Sequence, residues 1–418
     1  MKLPFFQLRK PEYRPYWVVL LIGLLLRILW AIAVPVDPVS DSYAYDRFAI
    51  NVATGQGYGW EPNLATAFWP PGTSFLYAGL YWLFGHHFSA IVILNLILSE
   101  IIIGLTMFLA NTWFNSRIAI IAGLLFAIWP SQIQFTTVLA SELPFTALIL
   151  GVLALWTRSQ TQLWKTTGML GILLAAASYV RPTVFLFPIL LFFFRWDDAK
   201  ARFKHLGSVI AMFLIMGLLI APWSIRNTQE FGQFVTISTN GGATLWMGNH
   251  PGSNGGYTDV PDEASHLNEA ERDKYLKAIA IAHIKEQPIL FLQRSVSRLI
   301  MTHSRESIGI AWNEKGLTQR YGEKVLLPLK LINQAYWISI LGCALAGIVL
   351  LMTKKGWYRA LSHPTVVIWG YFAAIHAIII AQDRYHFPSN PMIATLAALT
   401  INRAIEFRRK LTEMNPSQ

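Results

Sequence analysis

Apolar residues along this chain do not alternate with polar ones; they come in long runs separated by short charged segments. Residues 17–36, WVVLLIGLLLRILWAIAVPV, contain a single charged residue, Arg27. A helix of that length rises about 30 Å, the thickness of a bilayer's hydrocarbon core. Further apolar runs lie near 88–110, 118–135, 143–157, 166–180, 183–194, 206–223, 328–352, 364–380 and 391–405. Several are short and bounded by proline, which a bundle of membrane helices tolerates because neighbours satisfy the freed backbone groups. The pattern predicts ten spanning helices. The basic flank Lys2, Arg9, Lys10 and Arg14 before so long a first run predicts an uncleaved span with a cytoplasmic N-terminus rather than a signal peptide.

Charge decides the one ambiguous segment, 68–84, which is apolar but short after its Pro-Pro-Gly. Left out of the count, it puts 111–117, 158–165, 195–205, 353–363 and the C-terminal tail on the same side as the N-terminus. Lys and Arg outnumber Asp and Glu there by more than three to one, as the positive-inside rule requires of cytoplasmic segments. Counted as a span, it would place those basic loops outside. Segment 68–84 therefore reads as a juxtamembrane or re-entrant helix in a first external loop, 37–87, and both termini are expected in the cytoplasm. The chain divides into a membrane module, 1–223, an external insert, 224–327, C-terminal spans, 328–405, and a basic tail, 406–418. The insert is predicted to carry two amphipathic helices, near 263–286 and 289–304.

Composition agrees. Of the 418 residues, 54% are hydrophobic and 14% charged, and mean hydropathy is +0.41, values that exclude a water-soluble protein. The net charge of +11 is accounted for by the cytoplasmic segments, so it is a topology signal and nucleic acid is excluded as a partner. The lone Cys343 sits in an apolar run and excludes an intramolecular disulfide framework.

Polar residues near the bilayer midplane are few. Arg27 and Glu100 each lie ten residues from the cytoplasmic end of their helix, hence at matching depth, and are expected to form an ion pair. A transporter or lipid-linked-sugar flippase would be expected to place more polar residues there. The remaining signals gather at external helix ends: Asp37, Asp41 and Asp46, then Glu142, Arg181, Arg226 with Asn227, and the run Asp383, Arg384, Tyr385, His386. Acids and arginines converging at headgroup level suit a reaction between a lipid phosphate and a molecule approaching from outside. The pair Arg294 and Arg298 is expected to face headgroups or solvent. GQGYG at 55–59 lacks the spacing of a dinucleotide fingerprint, and adjacent His86 and His87 suit no metal-binding helix.

The ordered set SDSYAYDRFA, GQGYG, FWPPGTSFLYA, ASELPF, YVRP, APWSIRN, NGGATLWMGN and RYHFP resembles the polytopic glycosyltransferases of the GT-C fold. The similarity is to bacterial relatives of protein O-mannosyltransferases and of the lipid A aminoarabinose transferase. It implies an all-α polytopic bundle and a multi-pass bacterial inner-membrane enzyme. By resemblance, a sugar moves from a polyprenyl-phosphate donor to a lipid, glycan or protein acceptor on the external face, with inversion. The resemblance also makes Asp41 the general base and Glu142 a second site acid, with Arg181, Arg226, Arg384 and Tyr385 around the donor phosphate. Tyr45, Asn227, Asn240 and Asn249 are substrate-binding candidates, and a divalent cation at Asp41 and Glu142 is allowed but not required. Ser42 stands where protein O-mannosyltransferases typically carry Glu, which departs from a protein-acceptor pattern. An enzyme of O-antigen-ligase type, using a diphosphate-linked glycan, is the rival within enzymes.

Overall fold

A computed structural model describes residues 13–158, 163–194 and 202–414. Lys2, Arg9 and Lys10 of the basic flank lie outside the described residues. Every regular element among the described residues is helical.

The first apolar run forms α1 (Arg14–Ala33), and the 37–87 segment folds into α2 (Asp41–Ala53) and α3 (Gly72–Phe84). Segment 68–84 thus becomes a helix of 13 residues, about 20 Å long and too short to span unaided. Gly85, with φ 77°, stops it in a conformation that side-chain-bearing residues avoid. Next come α4 (Phe88–Trp113), α5 (Ser116–Ala127), α6 (Pro130–Gln134), α7 (Glu142–Arg158), α8 (Leu163–Val180), α9 (Phe187–Phe193) and α10 (Arg202–Phe231). Asn115 starts α5 by accepting the Ile118 N–H at 3.0 Å, whereas Pro130 interrupts the run and turns the following segment by 58°.

The insert holds α11 (Gly241–Asn249), α12 (Glu269–Glu286), α13 (Pro288–Ser304), α14 (Ile308–Ala311) and α15 (Glu314–Tyr321). Its two long helices are α12 and α13, close to the expected 263–286 and 289–304, but α12 starts only at Glu269, behind a reciprocal cap between Asn268 and Glu271. The chain then re-enters the bundle as α16 (Leu326–Lys355), α17 (Trp357–Leu361), α18 (Pro364–Ile378) and α19 (Asn390–Met414).

Each of the ten predicted runs is helical. By length and composition five helices among the described residues qualify as spans, namely α1, α4, α8, α10 and the segment Glu323–Lys355, and six if the bent pair after Ser116 is one span. Of the others, α7 with 17 residues and α18 with 15 are shorter and depend on neighbours for burial, whereas α19 has 25 residues, its first half buried in the bundle and its second half charged. Trp129, Phe126, Phe145, Phe187 and Phe372, all essentially unexposed, lie in the core shared by these helices.

Arg27 and Glu100 do face each other, but not as the direct ion pair the matching depth suggests. Arg27 is fully buried and donates from Nη1 to the carbonyls of Gly23, at 3.2 Å, and Ala127, at 3.0 Å. Its Nε and Nη2, and Glu100 Oε1, have no hydrogen-bond partner. A Cβ added at Gly23 would sit 3.2 Å from Glu100 Oε1, so the glycine lets the carboxylate approach α1.

Candidate active site

Four helix ends meet on one side of the bundle. Asp41 is the first residue of α2 and follows Ser40, whose φ of 53° is a strained value for a residue with a side chain. Glu142 is the first residue of α7 and is fully buried. Arg181 follows α8 and is held extended, φ −146°, by the proline after it. Arg384 lies in the turn between α18 and α19.

These side chains form one network. Arg384 donates from Nη2 to Asp41 Oδ2 at 2.6 Å and from Nε to Gln382 Oε1 at 2.8 Å, while its Nη1 lies 3.8 Å from Glu142 Oε1. Arg181 donates from Nη2 to the same Glu142 oxygen and from Nε to Ser141 Oγ at 2.9 Å. Glu142 Oε2 has no partner. A fully buried carboxylate, Glu142, and a partly exposed one, Asp41, are thus matched by two guanidinium groups, the arrangement in which buried charge is tolerable. Burial lowers the Arg384 pKa, but the Asp41 and Glu142 carboxylates outweigh it and raise the value above the ordinary one. The Arg384 guanidinium also lies 4.4 Å from the Trp312 ring centre.

Tyr385 stacks on His376 with centroids 4.0 Å apart. Burial raises its phenol pKa; Arg384 opposes this and Asp41 adds to it. Asp41, Tyr45, Arg181, Arg384, Tyr385 and Asn240 all line one cleft of about 820 Å³, with Glu142 buried behind the two arginines. Among the described residues no three His, Cys, Asp or Glu side chains converge on a metal position, and guanidinium groups engage Asp41 Oδ2 and Glu142 Oε1. That donor set does not fit a divalent cation as it stands.

Three candidates are placed elsewhere. Arg226 points into a separate cleft of about 530 Å³ beside Tyr58 and Trp223, donating to Thr66 O at 2.8 Å and to Asn227 Oδ1 at 2.9 Å. Asn227 is fully buried and donates to Ile237 O at 3.3 Å. Asn249 is buried against the carbonyls of Leu245 and Ile378, each at 2.9 Å. All three hold loops in place. Asp37 pairs with Lys315 at 2.8 Å, and Asp46 accepts from Tyr81 at 2.5 Å and meets His86 at 3.0 Å. Sequence reasoning passed over Ser141, Trp69, Lys274, Lys277 and His376, which also line the cleft. Ser141 could have been found, since it precedes Glu142 in the same motif. The lysines carry no local signal, because only the packing of α11 against α12 brings them to the rim.

Glu269 at the start of α12 ties the insert to the 37–87 loop, accepting from Thr66 Oγ1 at 2.6 Å, Ala67 N at 2.8 Å and Thr239 Oγ1 at 3.2 Å. The cleft therefore has a roof fixed to its wall.

This helical architecture is the GT-C fold. Residues 69–223 match the family described as dolichyl-phosphate-mannose-protein mannosyltransferase. No curated protein matches the sequence significantly. Among solved structures, the Archaeoglobus fulgidus oligosaccharyltransferase in the apo form superposes with a TM-score of 0.57 at 14% identity, over 99% of this chain and 53% of that one. The same organism's AglB, in complex with an inhibitory peptide and a dolichol-phosphate, gives 0.56 at 13% identity, over 97% and 52%. ArnT from Cupriavidus metallidurans, bound to undecaprenyl phosphate, gives 0.54 at 14% identity, over 93% and 61%. The chain spans about half the length of the archaeal enzyme. It is a multi-pass membrane protein.

Proposed function

We propose that the protein is a glycosyltransferase that moves a sugar from a polyprenyl-phosphate carrier to an acceptor hydroxyl in the cleft of Asp41 and Arg384. The observation that carries this reading is Arg384 held between Asp41 and Glu142 at the wall of that cleft. The acceptor oxygen attacks the anomeric carbon, the new C–O bond forms as the carbon–phosphate-oxygen bond breaks, and the configuration inverts. The acceptor proton passes to Asp41, and the lipid phosphate leaves with both electrons of the broken bond. A phosphodiester becomes a phosphomonoester in this step and gains negative charge, so it needs fixed cations more than a proton. Arg384 and Arg181 supply them, and Tyr385 adds a hydroxyl donor. Glu142 orients both arginines. Tyr45 and Asn240 line the space for sugar and acceptor.

AglB and ArnT, whose structures were solved with lipid phosphates, support a lipid-phosphate donor for this fold. The basic segments between spans support an orientation with both termini cytoplasmic and the cleft outside, in a bacterial inner membrane. The test is to incubate the purified protein with a panel of polyprenyl-phosphate sugars and follow release of polyprenyl phosphate. Release from at least one donor is expected; none from any donor, with or without acceptor extracts, contradicts the reading.

A further inference from the structure

The second long helix of the insert is amphipathic in the inverse sense for a helix bathed in water. On α13, Ile289, Leu292, Val296, Leu299 and Ile300 recur at intervals of three and four and share one face. That face is exposed: Ile289 is 72% and Leu292 and Ile300 are each 62% accessible. The basic residues point the other way. Arg298 is fully buried, donating from Nε to Ala377 O at 2.7 Å and from its Nη atoms to Gly248 O and Asn249 Oδ1. Arg294 donates to His250 O at 2.9 Å and Pro251 O at 2.7 Å. The expectation that this pair faces headgroups or solvent is overturned for Arg298, while Arg294 stays partly exposed; both are engaged by backbone carbonyls, and apolar side chains are what the opposite face of the helix presents.

We infer that α13 is embedded in the outer leaflet, with its Ile289–Ile300 stripe against lipid acyl chains. Its position supports lipid as the occupant. Arg298 reaches Ala377 near the outer end of α18, and Trp369 of the same helix donates to His303 Nε2 at 2.9 Å. The helix therefore runs along α18 over about two turns, so its exposed face continues the lipid-facing wall of the bundle. Apolar side chains gain free energy by leaving water, a gain that these five exposed residues forgo unless something apolar covers them. Polar residues close the stripe at both ends, Gln287 before it and Ser304 with Arg305 after it, as expected of a helix lying at an interface.

The consequence reaches the cleft. Through Arg294 and Arg298, α13 holds the 248–251 turn that ends α11, and α11 carries Gly241 and Thr244 of the cleft rim. The membrane thus sets the height of the cleft roof, whatever reaction the cleft performs.

The test uses the full chain in nanodiscs containing phospholipid with a diazirine on the acyl chain. After photolysis, peptides covering residues 288–300 should carry the label and those covering 269–286 should not. A second reading replaces Cys343 by Ala and places a nitroxide at Leu292→Cys, Val296→Cys or Ile300→Cys. Oxygen should relax each severalfold more than a water-soluble nickel chelate, with the order reversed at Tyr275→Cys on α12. Nickel access at the stripe equal to that at position 275 would overturn the inference, and so would exclusion of both relaxants, which would mean that protein covers the face.

Discussion

Arg384 Nη2 lies 2.6 Å from Asp41 Oδ2, joining residues 343 positions apart in the chain. The contact ties the turn before α19 to the first residue of α2, and through Glu142 it extends to the start of α7. Replacing Arg384 with Ala would leave two carboxylates without one of their two cations. Removing one partner of a buried pair typically costs about 3–5 kcal/mol, so a clear fall in thermal stability is expected. Arg384→Lys should retain more of the fold, yet it loses the two-pronged geometry, and turnover should drop by roughly 100-fold or more.

Glu142→Gln tests the arginine-orienting role. The side chain is fully buried and Oε1 receives Arg181 while facing Arg384. Neutralising it leaves an excess cation in the site, so stability should fall by about 3 kcal/mol or more. Steady-state kinetics should show kcat reduced more than KM is raised, because the arginines would act on the leaving phosphate from altered positions. An unchanged kcat would remove Glu142 from the site.

Arg226→Ala separates the two clefts. Its guanidinium packs 4.7 Å over Trp223 and holds the carbonyls of Thr66 and Tyr58, away from Arg384. The expected result is a modest stability loss of about 1–2 kcal/mol and turnover within about tenfold of the parent enzyme, a far smaller effect than at Arg384.

Asp273 offers a pH test outside the membrane helices. Burial raises its pKa, the Gly242 N–H and Lys277 pulling the other way. A carboxyl whose folded value is raised binds more protons folded than unfolded between the ordinary and the raised value, so the native state loses stability as pH rises through that window. Asp273→Asn keeps an oxygen for Gly242 without the charge. It should cost little or stabilise at pH 7–8, and its advantage should shrink as pH falls toward the ordinary carboxylate range. Denaturation midpoints across pH measure this.

Gly248→Ala probes the joint between α11 and α18. A Cβ there would lie 1.6 Å from Ile379 O, a backbone atom that cannot swing aside. Destabilisation of about 1–3 kcal/mol is expected, with loosening of the Arg298 contacts visible as faster amide exchange in 245–251.

Much of the site could be read from the sequence because topology did the sorting. Leaving 68–84 out of the count of spans puts Asp41, Glu142, Arg181 and Arg384 at helix ends on one and the same side, and side chains at ends on one face can meet. Which way a residue points about its helix was not legible. Arg226 sits five residues inside the end of α10, and helical rotation turns it toward the 37–87 loop rather than the cleft. Asn249 reads as a polar loop residue but is consumed by backbone carbonyls. Arg27 and Glu100 share a depth, yet Gly23 lies between them, a lateral detail that residue counting along helices does not resolve. Arg298 defeats the rule that a charged face meets water, because its guanidinium is buried on the Ala377 and Gly248 carbonyls and the Asn249 side chain. The span count depended on the same limit: short helices such as α18 are held by neighbours, which composition does not show.

The most direct test of the central claim compares the intact protein with Asp41→Asn on any polyprenyl-phosphate sugar that the parent turns over. If Asp41 takes the acceptor proton, transfer should fall by roughly 100- to 10,000-fold, while binding of the labelled donor stays within a few-fold because the arginines and Tyr385 remain. Transfer by Asp41→Asn at a rate near that of the parent, with the protein folded and donor bound, would contradict the account.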